Sequence, residues 1–391
     1  MSELELSKDQ KQVLTSMMSW FTSNDSPYIT IGGYAGTGKT TLISIFRKQL
    51  YETSKKTKVA FCAYTGKASR VLQSKLESAK ALYGQDSVST IHSLIYSPVV
   101  NDKEEIVGWE RKDEMDCDLI IIDEASMVDG MIWKDLTSYG IRIIAIGDHG
   151  QLPPIRGNFN LVESPMLRLE KIHRQAEGNP IIQLSILARE EGRIPIIDCS
   201  QFVRKINGQD PEASSLVDDI LMSYDDNMLV LCGYNMTRVK LNMHIRQMFE
   251  LNSPLPEPGD RVICLRNNHA IGIVNGMHGV IEELHDEDDE WFYAEIDLGE
   301  GIPKYKGLIL KDQFGNVNSM NFTDRRTYTL KGDLFDFGYA VTVHKAQGSQ
   351  AKKVLLFEER FSKMDDEMWR RWLYTAVTRA EEELYIIGRD Q

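Results

Sequence analysis

The densest chemistry in the chain is the run Gly33-Tyr34-Ala35-Gly36-Thr37-Gly38-Lys39-Thr40-Thr41. It fits the phosphate-binding pattern G-x-x-x-x-G-K-[ST], with Gly33, Gly38, Lys39 and Thr40 in the fixed places. Glycines let successive backbone N–H groups wrap a polyphosphate without Cβ clashes. Lys39 then sets a point charge on the β- and γ-phosphates, and the Thr40 hydroxyl can ligate Mg²⁺. Gly36, Thr37 and Thr41 complete the candidate nucleotide contacts of this loop. A second set begins at Asp123-Glu124, directly after the aliphatic run Leu119 to Ile122. An acid at the end of such a strand, near a phosphate loop, is placed to hold Mg²⁺, and the next acid can orient or deprotonate an attacking water. Thr40 and Asp123 are therefore the candidate metal ligands. Gln151 follows another aliphatic run and can touch a γ-phosphate and a second ligand together. Arg174 and Arg379 lie far from Lys39 in sequence. Arginines that reach the γ-phosphate in the transition state contribute about 10³–10⁵ in rate; otherwise each is an ordinary surface ion pair. If both reach it, the nucleotide binds between two α/β units and draws them together.

These residues need particular elements to position them. Tyr28 to Ile31 reads as a short strand before the loop, and Leu42, Ile45, Phe46 and Leu50 fall on one face of a helix after it. Strand, glycine loop and helix N-terminus thus come in the order that anion binding requires. Ahead of them, Ser7 and Gln10 fit a capping box for a first helix. Strands over Lys58–Ala63, Leu119–Ile122 and Ile141–Ile146 alternate with helices, which implies a parallel doubly wound sheet with its polar sites at the strand carboxyl ends. From about Leu169 the α/β pattern starts again, with a strand over Met228–Cys232. Residues 260 to about 333 are short β-like runs between turns and read as a small β-barrel inserted into the second unit. The α/β pattern resumes with a strand over Asp336–Thr342. The expected organisation is residues 1–168, 169–254 with 334–391, and an inserted 255–333, with a small polar insertion at about 95–116 that carries Trp109.

Composition narrows the class. The chain has 391 residues, 42% hydrophobic and 26% charged, which is ordinary for a soluble globular protein. No apolar run approaches the roughly 20 residues of a membrane span. The five cysteines form no C-x-x-C pair, and the acidic start Met1 to Glu5 has no apolar signal core. The expected compartment is the cytoplasm of a bacterial or phage-infected cell, with no membrane partner. A net charge of −13 argues weakly against nucleic acid, which favours a basic face. A narrow groove that stacks bases is compatible with such a charge.

Taken together, Gly33 to Thr40, Asp123-Glu124, Gly147-Asp148 to Pro154, Arg174, the Thr342/His344/Gln347-Gly348 cluster and Thr378-Arg379 resemble, in order, the motifs of superfamily 1 helicases. Ser89 to His92, Thr342 to Gly348, and Gly259 to Val262 with Asn275-Gly276 resemble the RecD-like branch. The resemblance spans nearly the whole chain. It implies an α/β fold of two RecA-like P-loop domains with parallel sheets, a strand-separating pin insertion in the first and an SH3-like barrel in the second. It implies ATP and Mg²⁺ in the cleft and 5′→3′ translocation on single-stranded DNA with unwinding of forked duplex. A single-strand-binding protein or replisome component is a candidate further partner. Lys39, Asp123, Glu124, Gln151, Arg174 and Arg379 would be catalytic. Gln10 would read adenine, with the capping box as the alternative, and Gly348 would join the nucleotide site. Tyr64, Thr65, Thr90, His92, Trp109, Asn235, Thr342 and His344 would contact DNA. Two positions depart from the branch: Tyr64 replaces a proline, and Gln350 replaces an acid. Tyr64 either stacks on a base or fills the proline's space, and Trp109 either works at the fork or anchors the insertion. The alternatives from other classes are a strand translocase or assembly subunit that does not unwind, and a P-loop kinase, which has no use for Arg379.

Overall fold

The computed structural model describes residues 6–23, 26–100, 106–153, 159–172, 178–266, 268, 271–273, 275–299, 302–320 and 331–389, with the side chains at 67, 98, 100 and 106–109 left aside. Among these residues the strands form two six-stranded sheets, one five-stranded sheet and one two-stranded ribbon.

In the first sheet the strands run Ser87–Thr90, Val59–Ala63, Leu119–Asp123, Arg142–Gly147, Tyr28–Gly33, Leu167–Leu169, and all the pairings are parallel. Both faces are covered, which explains the uninterrupted aliphatic runs. Leu119, Ile121, Ile144 and Ile146 pack with Leu14, Met17, Leu42 and Phe46 of the helices Lys8–Thr22 and Lys39–Thr53. The alternate residues Ile120, Ile122, Ile143 and Ala145 pack on the other face with Ile95 and Leu136. Register then aligns the strand ends. Ala63 pairs with both Thr90 and Asp123, and Gly32 pairs with Gly147. The polar residues that follow each strand therefore share one edge of the sheet.

The second sheet runs Ala340–Thr342, Met228–Cys232, Ala351–Phe357, Ala380–Gly388, Val203–Asn207, Ile197–Ser200, with only the last pairing antiparallel. The helices Pro180–Glu190 and Asp366–Val377 share one face of it, where Leu184, Ala188, Trp369, Trp372 and Leu373 meet Leu229, Leu231 and Val354.

The antiparallel sheet runs Tyr305–Leu310, Trp291–Asp297, His278–Asp286, Arg261–Cys264, Phe335–Phe337. Its two edges are joined: Ile309 bridges Asp333, and the Asp333 N–H donates to the Leu308 carbonyl at 2.7 Å. The single strand expected over Asp336–Thr342 is two strands in two sheets. Phe335–Phe337 pairs with Arg261–Cys264, past the expected boundary at 333, and the parallel sheet resumes at Ala340. Gly338 lies at the break, where the backbone is closely approached. A Cβ there would lie 2.7 Å from the Val262 carbonyl carbon, and its N–H instead donates to the Arg261 carbonyl. The expected strand over Tyr328–Leu330 lies outside the described residues.

The polar insertion is a β-hairpin of Tyr96–Val100 and Ile106–Arg111, rooted on the first unit. Tyr96 donates its hydroxyl to Asp135 at 2.5 Å, Arg111 donates to the Ser138 hydroxyl at 2.6 Å, and the Tyr139 hydroxyl donates to the Lys112 carbonyl at 2.7 Å.

Candidate active site

The phosphate loop leaves its strand at Gly33 and enters its helix through Gly38, whose φ of 77° lies in the left-handed region that glycine reaches without strain. The Lys39 ammonium donates back to the Gly33 carbonyl at 2.8 Å and the Tyr34 carbonyl at 3.2 Å, and it lies 3.9 Å from Asp148. The Thr37 hydroxyl donates to the Tyr34 carbonyl at 2.8 Å.

Gln10 is fully buried beneath this loop, and the capping box is the arrangement that forms. Its side-chain oxygen accepts the Ser7 N–H at 3.1 Å, and its amide donates to the Thr37 carbonyl at 2.9 Å. Gln10 thereby fastens the first helix to the phosphate loop, a bond across 27 residues that the capping pattern alone does not announce.

Asp123 ends its strand, and Glu124 turns the chain with a φ of 54°. A non-glycine residue in that region is uncommon, and such strain gathers at functional sites. Burial pushes the Asp123 carboxyl up to about 6, the neighbouring charge of Glu124 adds to this, and Lys39 opposes it. One Glu124 carboxylate oxygen is buried with no hydrogen-bond partner among the described residues. A buried carboxylate beside one with an unsatisfied oxygen is a donor set suited to a divalent cation and an ordered water. Thr40 is the second residue of the loop helix, directly after Lys39, where the pattern places a metal-ligating hydroxyl.

The second unit completes the site. Arg379 is buried, donates to the carbonyls of Thr375 and Ser349, and bonds the Thr378 hydroxyl. Burial presses its guanidinium below the usual range, while the charges of Glu124, Asp148 and Tyr374 pull it back up. Glu124 and Asp148, whose charges act on it, belong to the first unit. Gln151 is buried and faces Asp148 at 3.4 Å. Gly348 has a φ of 73°, in the region glycine reaches without strain, and it packs against the Met127 side chain just past the strand that carries Asp123. Gln347 donates to the Leu152 carbonyl at 2.6 Å, Thr375 accepts the Leu152 N–H at 2.9 Å, and Arg371 reaches the His149 carbonyl at 3.2 Å. Arg174 lies outside the described residues.

The candidate DNA residues form two sets. In the first unit, the Thr65 and Thr90 hydroxyls cap the helices Gly66–Ser78 and Ile91–Ile95 at neighbouring strand ends. Tyr64 is half-buried and packs against the core. The His92 ring lies 4.5 Å from that of Tyr96 at the hairpin root. The side chain of Trp109 lies outside what the structure describes; its backbone pairs with Pro98. In the second unit, Asn235, Thr342 and His344 line one groove of about 650 Å³ with Tyr234 and Phe361. Burial holds His344 below the usual imidazole range. Glu359 fixes the groove's floor by accepting the N–H groups of Gly233 and Tyr234, both at 2.9 Å. Tyr234 is exposed and meets Phe361 edge to face at 4.7 Å. Sequence reasoning singled out neither Tyr234 nor Asp148 as a site residue. Their signals were present in an aromatic beside Asn235 and in an acid one residue past a buried strand.

Fold and site define a two-unit P-loop protein in which a buried arginine of the second unit feels the charges of Glu124 and Asp148 of the first. The AAA domain model matches residues 5–205, and the UvrD-like helicase C-terminal domain model matches residues 337–387. The chain is 26% identical to the ATP-dependent RecD2 DNA helicase of Deinococcus radiodurans, over 98% of this chain and 49% of that protein. It is 33% identical to the RecBCD enzyme subunit RecD of Buchnera aphidicola, over 92% and 70%. It is 26% identical to the ATP-dependent DNA helicase dda of Enterobacteria phage T4, over 98% and 99%. The chain thus spans about half the length of the Deinococcus relative and nearly all of the phage one. It belongs to the superfamily 1 DNA helicases of the RecD and Dda type, an ATP-dependent enzyme family.

Proposed function

We propose that this chain is an ATP-dependent DNA helicase that moves 5′→3′ on single-stranded DNA and opens duplex at a fork. The observation that carries the reading is the seam at Arg379: the guanidinium is buried and bonds Thr375, while Thr375 and Gln347 of the same unit bond Leu152 of the first unit. Such a site closes only when both units are in place, so nucleotide chemistry is tied to their relative position. Lys39 and the loop N–H groups bind the phosphates, Glu124 orients or deprotonates the attacking water, and Gln151, Arg174 and Arg379 serve the γ-phosphate. Thr40 and Asp123 would hold Mg²⁺. When bound, it neutralises charge on the β- and γ-oxygens. The strand crosses Tyr64, Thr65, Thr90 and His92 of the first unit and the Asn235, Thr342 and His344 groove of the second, where Tyr234 offers a stacking face.

The hairpin is the pin, with Trp109 on it, and the closed antiparallel sheet is the SH3-like module. Residues 1–168 form the first motor domain, and 169–254 with the chain from Ala340 onward form the second. The family's work in replication, recombination or repair and a single-strand-binding or replisome partner extend the reading.

Strand-stimulated ATPase tests it first: the wild-type rate is expected to rise severalfold or more with single-stranded DNA, and a flat response excludes a strand motor. Forks with only a 5′ or only a 3′ tail test direction, and opening from the 3′ tail alone sinks the polarity. The hairpin root supplies a separate prediction. Tyr139→Phe removes the hydroxyl that ties Lys112, at the hairpin's end, to the first unit. Unwinding is expected to fall about three- to tenfold, the size of one hydrogen bond, with strand-stimulated ATPase within twofold of the parent. Equal losses in both assays would remove the hairpin from strand separation and favour a non-unwinding translocase.

A further inference from the structure

Two helices of the second unit meet the phosphate loop at Tyr34 and Ala35, positions that the G-x-x-x-x-G-K-[ST] pattern leaves open. The Tyr374 hydroxyl accepts the Ala35 N–H at 2.7 Å and donates to the Asp148 carboxylate at 2.6 Å. Asp148 also accepts the Gly150 N–H at 3.0 Å and lies 3.9 Å from the Lys39 ammonium. The Arg189 guanidinium sits 3.7 Å from the centroid of the Tyr34 ring, which also lies 4.3 Å from the His149 ring and 6.0 Å, edge to face, from the Tyr374 ring. The Tyr34 backbone is meanwhile held from within the loop, because its carbonyl accepts from Lys39 and from Thr37. One residue therefore has its ring gripped by the second unit and its backbone gripped by the lysine that binds phosphate.

The two gripping side chains also share a support. Arg189 is on the helix Pro180–Glu190 and Tyr374 on Asp366–Val377, and these helices pack together through Leu184, Ala188, Trp369 and Trp372. The Trp369 indole donates to the Gly192 carbonyl at 2.6 Å, just past the end of the first helix. Energetic coupling between sites travels through packed elements with discrete arrangements. A helix pair with two contacts on one loop is such an element.

We propose that Arg189 and Tyr374 form a two-point clasp on Tyr34-Ala35 that passes the state of the phosphate loop to the second unit, making both of them positioning residues for strand-coupled ATP turnover. The role rests on the strand-motor reading above, whereas the contact itself does not. Any displacement of Lys39 or the loop N–H groups by phosphates shifts the Tyr34 carbonyl and the Ala35 N–H, and the helix pair follows. The same path in reverse lets a strand bound on the second unit set the loop for turnover.

Two measurements on the full chain test this. Amide exchange reads the contact without strand or nucleotide. Tyr374→Phe keeps the ring but removes the acceptor, so the Ala35 amide is expected to exchange at least about tenfold faster, with helix Lys39–Thr53 unchanged. Kinetics read the role. Tyr374→Phe and Arg189→Gln are each expected to lower the ratio of strand-stimulated to unstimulated kcat by about three- to tenfold, the size of one hydrogen bond or cation–π contact. The KM for ATP stays within twofold, and Arg189→Lys restores most of the ratio. Unchanged Ala35 exchange overturns the contact. Faster exchange with an unchanged ratio, or a change carried by KM alone, overturns the coupling role. If the parent shows no strand stimulation, the motor reading fails and the coupling role fails with it, while exchange still decides the contact.

Discussion

Arg379→Ala is expected to lower strand-stimulated ATP turnover by about 10³-fold or more, the range measured for arginines that stabilise a transferring phosphoryl group. The guanidinium is buried and held in place by the carbonyls of Thr375 and Ser349 and by the Thr378 hydroxyl. Its orientation is therefore settled before nucleotide chemistry begins, and preorganised charge is the effective kind. Burial costs the charged form something, and Glu124 and Asp148 offset that cost. The residue is held as a cation in a place where water is excluded. In the proposed mechanism nucleotide binding depends on a different set of groups, the loop N–H groups and Lys39. Affinity for a non-hydrolysable triphosphate is therefore expected to stay within about tenfold while kcat collapses. Arg379→Lys keeps a charge but loses the planar fork, so it should recover little. A fall of less than tenfold in kcat for Arg379→Ala would remove this arginine from the reaction and return it to the role of a structural cation under the second sheet. Single-strand affinity and thermal stability, measured in parallel, guard against a folding defect.

The parts of this site that were legible in the sequence are those set by local rules. The phosphate loop needs glycines at fixed spacing, and a buried parallel strand needs an unbroken aliphatic run, so Gly33 to Thr41 and Leu119 to Glu124 could be read directly. Gln10 shows the limit. Its spacing from Ser7 announced the capping box, which forms, but nothing local could say that the same amide would reach Thr37. Asp148 and Tyr374 belonged to recognisable stretches, yet their partnership spans 226 residues and exists only because two sheets present their edges to one another. Phe335–Phe337 misled for a related reason. Its alternation suits either sheet, and the choice is made by pairing with Arg261–Cys264, which no periodicity encodes.

That same junction yields the largest expected stability effect. Arg246 sits in the last turn of the helix Asn235–Met248 and is fully buried, with two nitrogens on the two oxygens of Asp260 at 2.8 and 2.9 Å. It also donates to the carbonyls of Ser253 and Leu255 and lies 4.2 Å from the centroid of Phe337. The Tyr339 hydroxyl donates to Asp260 at 2.9 Å, and so does the Glu257 N–H, at 2.8 Å. One ion pair thus ties together the helix that carries Asn235 at its other end, the turn into the antiparallel sheet, and the strand Phe335–Phe337. Arg246→Ala leaves Asp260 charged, buried and without its cation, which is expected to cost about 3–5 kcal/mol. Replacing both partners by apolar residues, as in Arg246→Met with Asp260→Leu, removes the orphaned charge and should cost less than the single change, although Tyr339 and the two carbonyls lose partners. A chain of several units does not unfold in one step, so amide exchange over Asn235–Met248 and Arg261–Cys264 is the fitting measurement. Exchange in both elements should accelerate together, while Lys39–Thr53 keeps its protection. If the double variant proves less stable than Arg246→Ala, attraction within the pair outweighs the desolvation it requires, and the junction is held by charge rather than by the packing around it.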